Sequence, residues 1–184
     1  MQKRIALVVL TLVLALLAAS CGNETETAAA TTTTTTTAAT TTTTQATAAD
    51  TTADLLAAAV TELLTKDTSF GAGHRFTKLF VVGHMDDGTP FTDAELQAVV
   101  DAASAFGPVE VIADAELART ESLEPIVPGA AIVTAGPVGG SEDRATVDMA
   151  LWCGGLCGIW LTYGADLTDA GWTITGPIGP IAVS

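Results

Sequence analysis

Ala145-Thr146-Val147-Asp148-Met149-Ala150-Leu151-Trp152-Cys153-Gly154-Gly155-Leu156-Cys157-Gly158-Ile159-Trp160-Leu161-Thr162-Tyr163-Gly164-Ala165 is the stretch that decides the fold of this chain. Residues 145–151 alternate between apolar and polar or small side chains, and residues 159–165 do the same. Two alternating runs around a Gly-rich centre predict a β-hairpin. Cys153 and Cys157 flank its turn and suggest a covalent clip across the tip. If they oppose one another, Val147, Met149, Leu151, Ile159, Leu161 and Tyr163 share one face, which is then the core face. Trp152 and Trp160 fall diagonally on the opposite face with Asp148, Ala150 and Thr162. Two tryptophans there are either a ligand or partner patch or a surface covered by a helix.

Working outward towards the N-terminus, residues 131–135 read as a strand bounded by Gly129 and Gly136-Pro137, with a turn over residues 139–143. Residues 113–128 form an acidic connector with room for one helical turn. Residues 109–112 are a short apolar strand. The helix before it is the clearest local signal. Thr92-Asp93-Ala94-Glu95 is a capping box, Phe91 and Leu96 sit at the staple positions, and Leu96, Val99, Val100 and Ala103 form one stripe. Gly107 is expected as a left-handed C-terminal cap with Pro108 blocking continuation, which predicts a helix over residues 93–106. Residues 76–85 read as a strand whose continuously apolar centre, Leu79-Phe80-Val81-Val82, suits burial on both faces. Residues 54–66 carry Leu55, Leu56, Val60, Leu63 and Leu64 at helical spacing, with Asp54 at the N-cap position.

On the C-terminal side, residues 172–175 predict a last strand, with Gly176-Pro177 and Gly179-Pro180 as punctuation beyond it. The sum is an α+β domain over residues 54–184, two helices packed on one mainly antiparallel twisted sheet that ends in the clipped hairpin. That pattern is similar to cystatin-like or nuclear-transport-factor-2-like domains, from which the early β-α-β unit departs. Such folds host both enzymes and plain binding modules.

The first 53 residues are of another kind. Met1-Gln2-Lys3-Arg4 is a basic lead, followed by an apolar run over residues 5–19. That is shorter than the roughly 20 residues of a comfortable membrane span and fits an export signal over residues 1–20. It ends in Leu17-Ala18-Ala19-Ser20-Cys21-Gly22, which resembles the lipobox of bacterial lipoproteins. The family usually has Leu three places before the cysteine, where this chain has Ala18. The resemblance implies cleavage before Cys21, acylation of Cys21, and a lipid anchor such as palmitate at an extracytoplasmic membrane or cell-envelope surface. Acylation also leaves Cys153 and Cys157 as an even pair in an oxidising compartment, where a disulfide persists. Residues 22–53 are almost wholly Thr and Ala, lack the side chains that offset ordering entropy, and read as a disordered tether of about 30 Å that suits O-linked sugars.

Charge and motifs then exclude function classes. The chain carries a formal net charge of −14, and loss of Lys3 and Arg4 with the signal brings it to −16. Such a field repels phosphate backbones, so nucleic acid is not an expected partner. The two histidines are His74 and His84; His84 stands beside Asp86 and Asp87 and is the one group on which an acid–base site can be built. A calcium-loop register through Gly88 puts Gly83, Met85 and Ala94 at ligand positions and fails. Cys153 and Cys157 match neither a redox C-x-x-C nor a zinc set. Gly139-Gly140 and Gly154-Gly155 lack the context of phosphate loops, and no G-x-S-x-G elbow occurs. No catalytic, cofactor or metal residues are assigned. The expected function is a membrane-tethered binding or interaction domain for a protein or small molecule. The rivals are a small hydrolase-like enzyme using His84 with Asp86 and Asp87, and a structural envelope lipoprotein. The run Trp152 to Gly158, the following Tyr163 and Gly171-Trp172 also resemble the C-terminal part of uncharacterised bacterial exported proteins, a likeness that implies no activity.

Overall fold

A computed structural model of the chain describes residues 48–184 apart from Ser69 and Ala72. The export signal, Cys21 and most of the Thr/Ala tract lie outside the described residues. In chain order the elements are α1 (Ala48–Lys66), β1 (Lys78–Val82), α2 (Asp93–Ser104), β2 (Val109–Ile112), a 3-10 turn (Ala115–Ala118), β3 (Ala130–Gly140), β4 (Arg144–Gly154), β5 (Cys157–Thr168) and β6 (Gly171–Val183). The six strands form one sheet in the order β2-β1-β3-β4-β5-β6. β1 runs parallel to both β2 and β3, and every other pairing is antiparallel. The fold is therefore α+β, two helices on one mainly antiparallel sheet. The parallel β1–α2–β2 unit is its departure from the cystatin-like and nuclear-transport-factor-2-like arrangements.

Both helices lie on one face of the sheet, and the main core lies between them. Leu55, Leu56, Val60, Leu63 and Leu64 of α1 meet Val99 and Ala103 of α2 and the inward side chains Leu79, Val81, Val133, Val147, Met149, Leu151, Leu161 and Tyr163. The odd-numbered face of the hairpin is thus the core face. Its register follows from the same residues, since Leu151 pairs with Ile159, Met149 with Leu161 and Val147 with Tyr163. β1 is apolar without alternation because both of its faces are covered. Leu79 and Val81 enter the main core, while Phe80 and Val82 join Ile112, Ala118, Ala130, Ile132 and Trp152 in a smaller cluster.

Several boundaries differ from the sequence reading for identifiable reasons. α1 starts at Ala48, inside the stretch read as tether, so Asp54 is an exposed helix-interior residue and not the cap. Alanine is the strongest helix former, and Ala53 and Ala59 bury against the core, which carries the helix back through the Ala-rich run. α2 has its capping box, with the Glu95 amide donating to Thr92 Oγ1 at 3.3 Å and the Thr92 amide to Glu95 Oε2 at 2.8 Å. Gly107 is not a left-handed cap. The helix closes on Ala105 in a right-handed conformation, and a Cβ at Gly107 would stand 2.6 Å from the Phe76 carbonyl oxygen. Glycine is there for close approach, since α2 must end against the strand entering β1.

Neither Gly136-Pro137 nor the two C-terminal Gly-Pro pairs ends a strand. β3 runs through the first, whose peptide bond is cis, and β6 runs through the other two. In β3, Ala135 pairs with Met149 and Val138 with Val147, so Gly136 and Pro137 together face Asp148. In β6, Ile178 pairs with Thr162 and Ala182 with Trp160, so residues 179–181 face Leu161 alone. A bulge is where a strand tolerates proline, because the extra residue is out of the ladder and no hydrogen bond is lost, whereas Pro177 stays in register opposite Tyr163. β6 is moreover an edge strand, where a missing amide costs least.

Candidate functional site

The face of the sheet away from the helices is divided in two. Over β1, β2 and β3 it is roofed by the connector of residues 113–128, whose 3-10 turn is capped by Asp114 accepting from the Glu116 amide. Trp152 lies under this roof, 7% exposed, with the Arg119 guanidinium 4.6 Å from its ring centroid. Trp152 and Trp160 are therefore not a shared exposed patch. The sequence placed them correctly on one face, but the connector covers the first, and only Trp160, 38% exposed, reaches solvent.

The unroofed half, over β3 to β6, carries a cleft of about 340 Å³. Its floor is the outward row of the hairpin, Asp148, Ala150, Trp160 and Thr162, joined by Thr134 of β3. Met149 and Leu161, whose side chains belong to the core, complete the floor. The two proline bulges make its walls. On one side stands Gly136, and a Cβ there would meet Met85 Cγ at 2.8 Å. The bare backbone lets the loop after β1 sit down on the bulge, which brings Asp86 to the rim. On the other side the bulge of β6 brings Pro180 and Ile181 over the sheet, with Ala182 beside them. A regular strand at either place would leave the floor flat and open.

Inside the cleft, Thr162 Oγ1 donates to Asp148 Oδ1 at 2.5 Å across the β4–β5 pair. Asp148 is half-buried, and no ion pair among the described residues involves it or Asp86. The indole of Trp160 reaches back along its own strand. A Cβ at Gly158 would meet its six-membered ring at 2.5 and 2.8 Å, so that ring occupies the place a side chain would fill. The indole thus extends back along its own strand and gives the cleft an aromatic surface. The titratable side chains that line the cleft are the carboxylates of Asp86 and Asp148. Its equipment is a carboxylate set in a hydroxyl, a second carboxylate at the rim, an aromatic surface and an aliphatic wall. Groups of this kind can orient and hold a ligand.

The other sequence candidates lie elsewhere. His84 is half-buried beside the cleft-forming loop, and its Nδ1 is 2.7 Å from the Met85 carbonyl oxygen. Asp87 accepts from the Thr89 amide at 2.9 Å, and this bond with the Thr89 hydroxyl holds its carboxyl below the ordinary value, the charge of His84 adding least. Asp87 is thus committed to a turn, and no side-chain hydrogen bond joins His84 to Asp86 or Asp87 among the described residues. His74 stacks on Phe70 at 4.2 Å and meets Phe76 edge-on. Among the described residues no group of three or more His, Cys, Asp or Glu side chains is placed to hold a metal ion.

Cys153 and Cys157 form a disulfide with Cα atoms 5.0 Å apart. The hairpin bulges at its tip, so Cys157 pairs with Gly154 and does not directly oppose Cys153. The bridge holds the end of the strand pair that carries Trp160. Sequence reasoning placed Asp148, Ala150 and Thr162 beside Trp160 but gave them no role, because the walls that turn that row into a cleft come from Gly-Pro pairs read as stops. The chain matches no protein-family model, and no curated protein or solved structure is significantly similar to it.

Proposed function

We propose that this chain is a lipid-anchored, extracytoplasmic ligand-binding domain and that its ligand occupies the cleft over β3 to β6. The observation that carries the reading is the pair of bulges, each built on Gly-Pro, that stand on either side of the half-buried Asp148 and the Trp160 indole. Bulges are concentrated beside functional sites because they re-aim side chains and end regular pairing where a wall is needed. The anchor rests on the lipobox-like Leu17-Ala18-Ala19-Ser20-Cys21 and on the composition of the Thr/Ala tract behind it. The acidic balance of the chain favours ligands other than nucleic acid.

The test is a fragment library of mixed charge, screened by ligand-observed NMR against the wild type and Ala150→Phe. Ala150 is a half-buried floor residue on the face away from the core, so a phenyl group there fills the cleft and leaves the fold intact. Fragments that bind the wild type should lose binding to the variant while its circular dichroism and melting temperature stay the same. Binding that survives in a folded Ala150→Phe protein would place the ligand site elsewhere.

A further inference from the structure

We infer that the ligand of the cleft is a small organic cation, an amine or quaternary ammonium with apolar substituents. The inference rests on the reading of the cleft as the binding site and adds the chemistry that it selects. Each of the five Lys and Arg residues in the described part is engaged elsewhere. Lys66 pairs with Glu62, Lys78 with Glu110, Arg119 with Glu116 and Arg144 with Asp166, while Arg75 donates to the Ala105 carbonyl. Among the described residues no lysine or arginine is thus left for Asp148 or Asp86.

Asp148 is half withdrawn from water, and the hydrogen bond that the structure gives its carboxylate comes from the neutral Thr162 hydroxyl. A carboxylate in reduced dielectric attracts a positive charge more strongly than one in bulk water. Trp160 supplies the second element. An indole offers its π-face to a cation, and tryptophan is the best of the side chains at this. Pro180 and Ile181 supply the third, an apolar wall that a hydrated metal ion has no use for. At about 340 Å³ the cleft lies at the small end of ligand sites, which run from roughly 300 to 1,000 Å³. Charge, ring and wall together fit a compact alkylammonium group.

The experiment uses the full chain in a non-ionic maltoside detergent with its three tryptophans replaced by fluorotryptophan, so that fluorine NMR shows one resonance for each. Trp160→Phe assigns the resonance of the cleft. The probes are choline, benzyltrimethylammonium and butylammonium, together with the neutral carbon isostere of choline, in which a tert-butyl group replaces the trimethylammonium. At least one of the cations should shift the Trp160 resonance saturably and bind about tenfold more tightly than the isostere, the size expected of a partly desolvated cation–π contact. Asp148→Asn should narrow that difference by weakening the cation alone, and added salt should weaken it too. A thermal melt of Asp148→Asn confirms that the variant is folded, and Thr162→Val, which removes the hydroxyl and leaves the charge, should keep the preference for the cation. Equal binding of cations and isostere at Trp160 would overturn the ligand class and leave the cleft standing as the site. A Trp160 resonance unmoved by any of the four would overturn both.

Discussion

Tyr163 shows how one residue ties the sheet to the helix layer. It is the one tyrosine of the chain, its side chain is fully buried in the core, and its hydroxyl donates to Asp67 just beyond the end of α1. Burial, then the hydrogen bond to Asp67 and the negative charges of Asp67 and Glu62, raise its pKa far above the ordinary tyrosine value of 10.0. A raised folded-state pKa means that the neutral phenol is what the fold stabilises, so this contribution is complete below about pH 10 and is lost as pH rises through the alkaline range. Because there is a single tyrosine, the ultraviolet absorbance of phenolate reports on it alone. In an alkaline titration phenolate should appear together with loss of near-ultraviolet circular dichroism. A phenolate signal at ordinary tyrosine pH in a still-folded protein would contradict the buried bond. Tyr163→Phe should cost about 1.5 kcal/mol, the low end for a hydrogen bond to a charged group, because Asp67 keeps partial access to water. Its measure is the shift in a urea unfolding midpoint at unchanged slope.

The elements that were legible from sequence are those whose signals are local. α2 announces itself through Thr92 and Glu95, and both hydrogen bonds of the capping box are present. Thr92→Ala should therefore lower stability by about 1 kcal/mol, read from chemical denaturation, and a null result would mean that the cap is redundant with the packing of Phe91 and Leu96. The hairpin was legible because side-chain alternation fixes which residues share a face, and one shared face fixes the register. Its disulfide closes a loop of about five residues, for which chain entropy gives roughly 2 kcal/mol. Replacing both Cys153 and Cys157 by Ser should lower stability by about that amount and raise amide exchange at the tip before it affects Val147 or Tyr163. Uniform exchange along the hairpin would show that the clip acts on the whole pair. What was not legible depends on neighbours distant in sequence. A Gly-Pro pair looks the same whether it ends a strand or bulges within one, and the difference lies in whether a partner strand resumes the ladder beyond it. That is why Asp148 and Thr162 were placed on the right face without the cleft around them, and why the roof over Trp152 was left open.

The molecule as a whole joins a folded domain to a stretch of a different physical character. The proposed anchor predicts that full-length protein expressed in a bacterium partitions with the membrane and that Cys21→Ser moves it to the soluble fraction, with the folded domain unchanged by circular dichroism. Equal partitioning of the two proteins would remove the anchor from the proposal. An anchored population is crowded in two dimensions, and its members meet edge to edge far more often than freely diffusing molecules do. Sheet edges are where such meetings turn into aggregation, because unpaired amides and carbonyls accept another strand. Here one edge is β2, four residues long, with Lys78 and the exposed Glu110 in an ion pair beside it. The other is β6, which would be a long template but for Pro177 and Pro180, neither of which has an amide to offer, and for the arch between Ile178 and Ala182. Pro180, which walls the cleft, and Pro177 thus also deny a neighbour the continuous ladder it needs, so copies packed densely on a surface would not zip together.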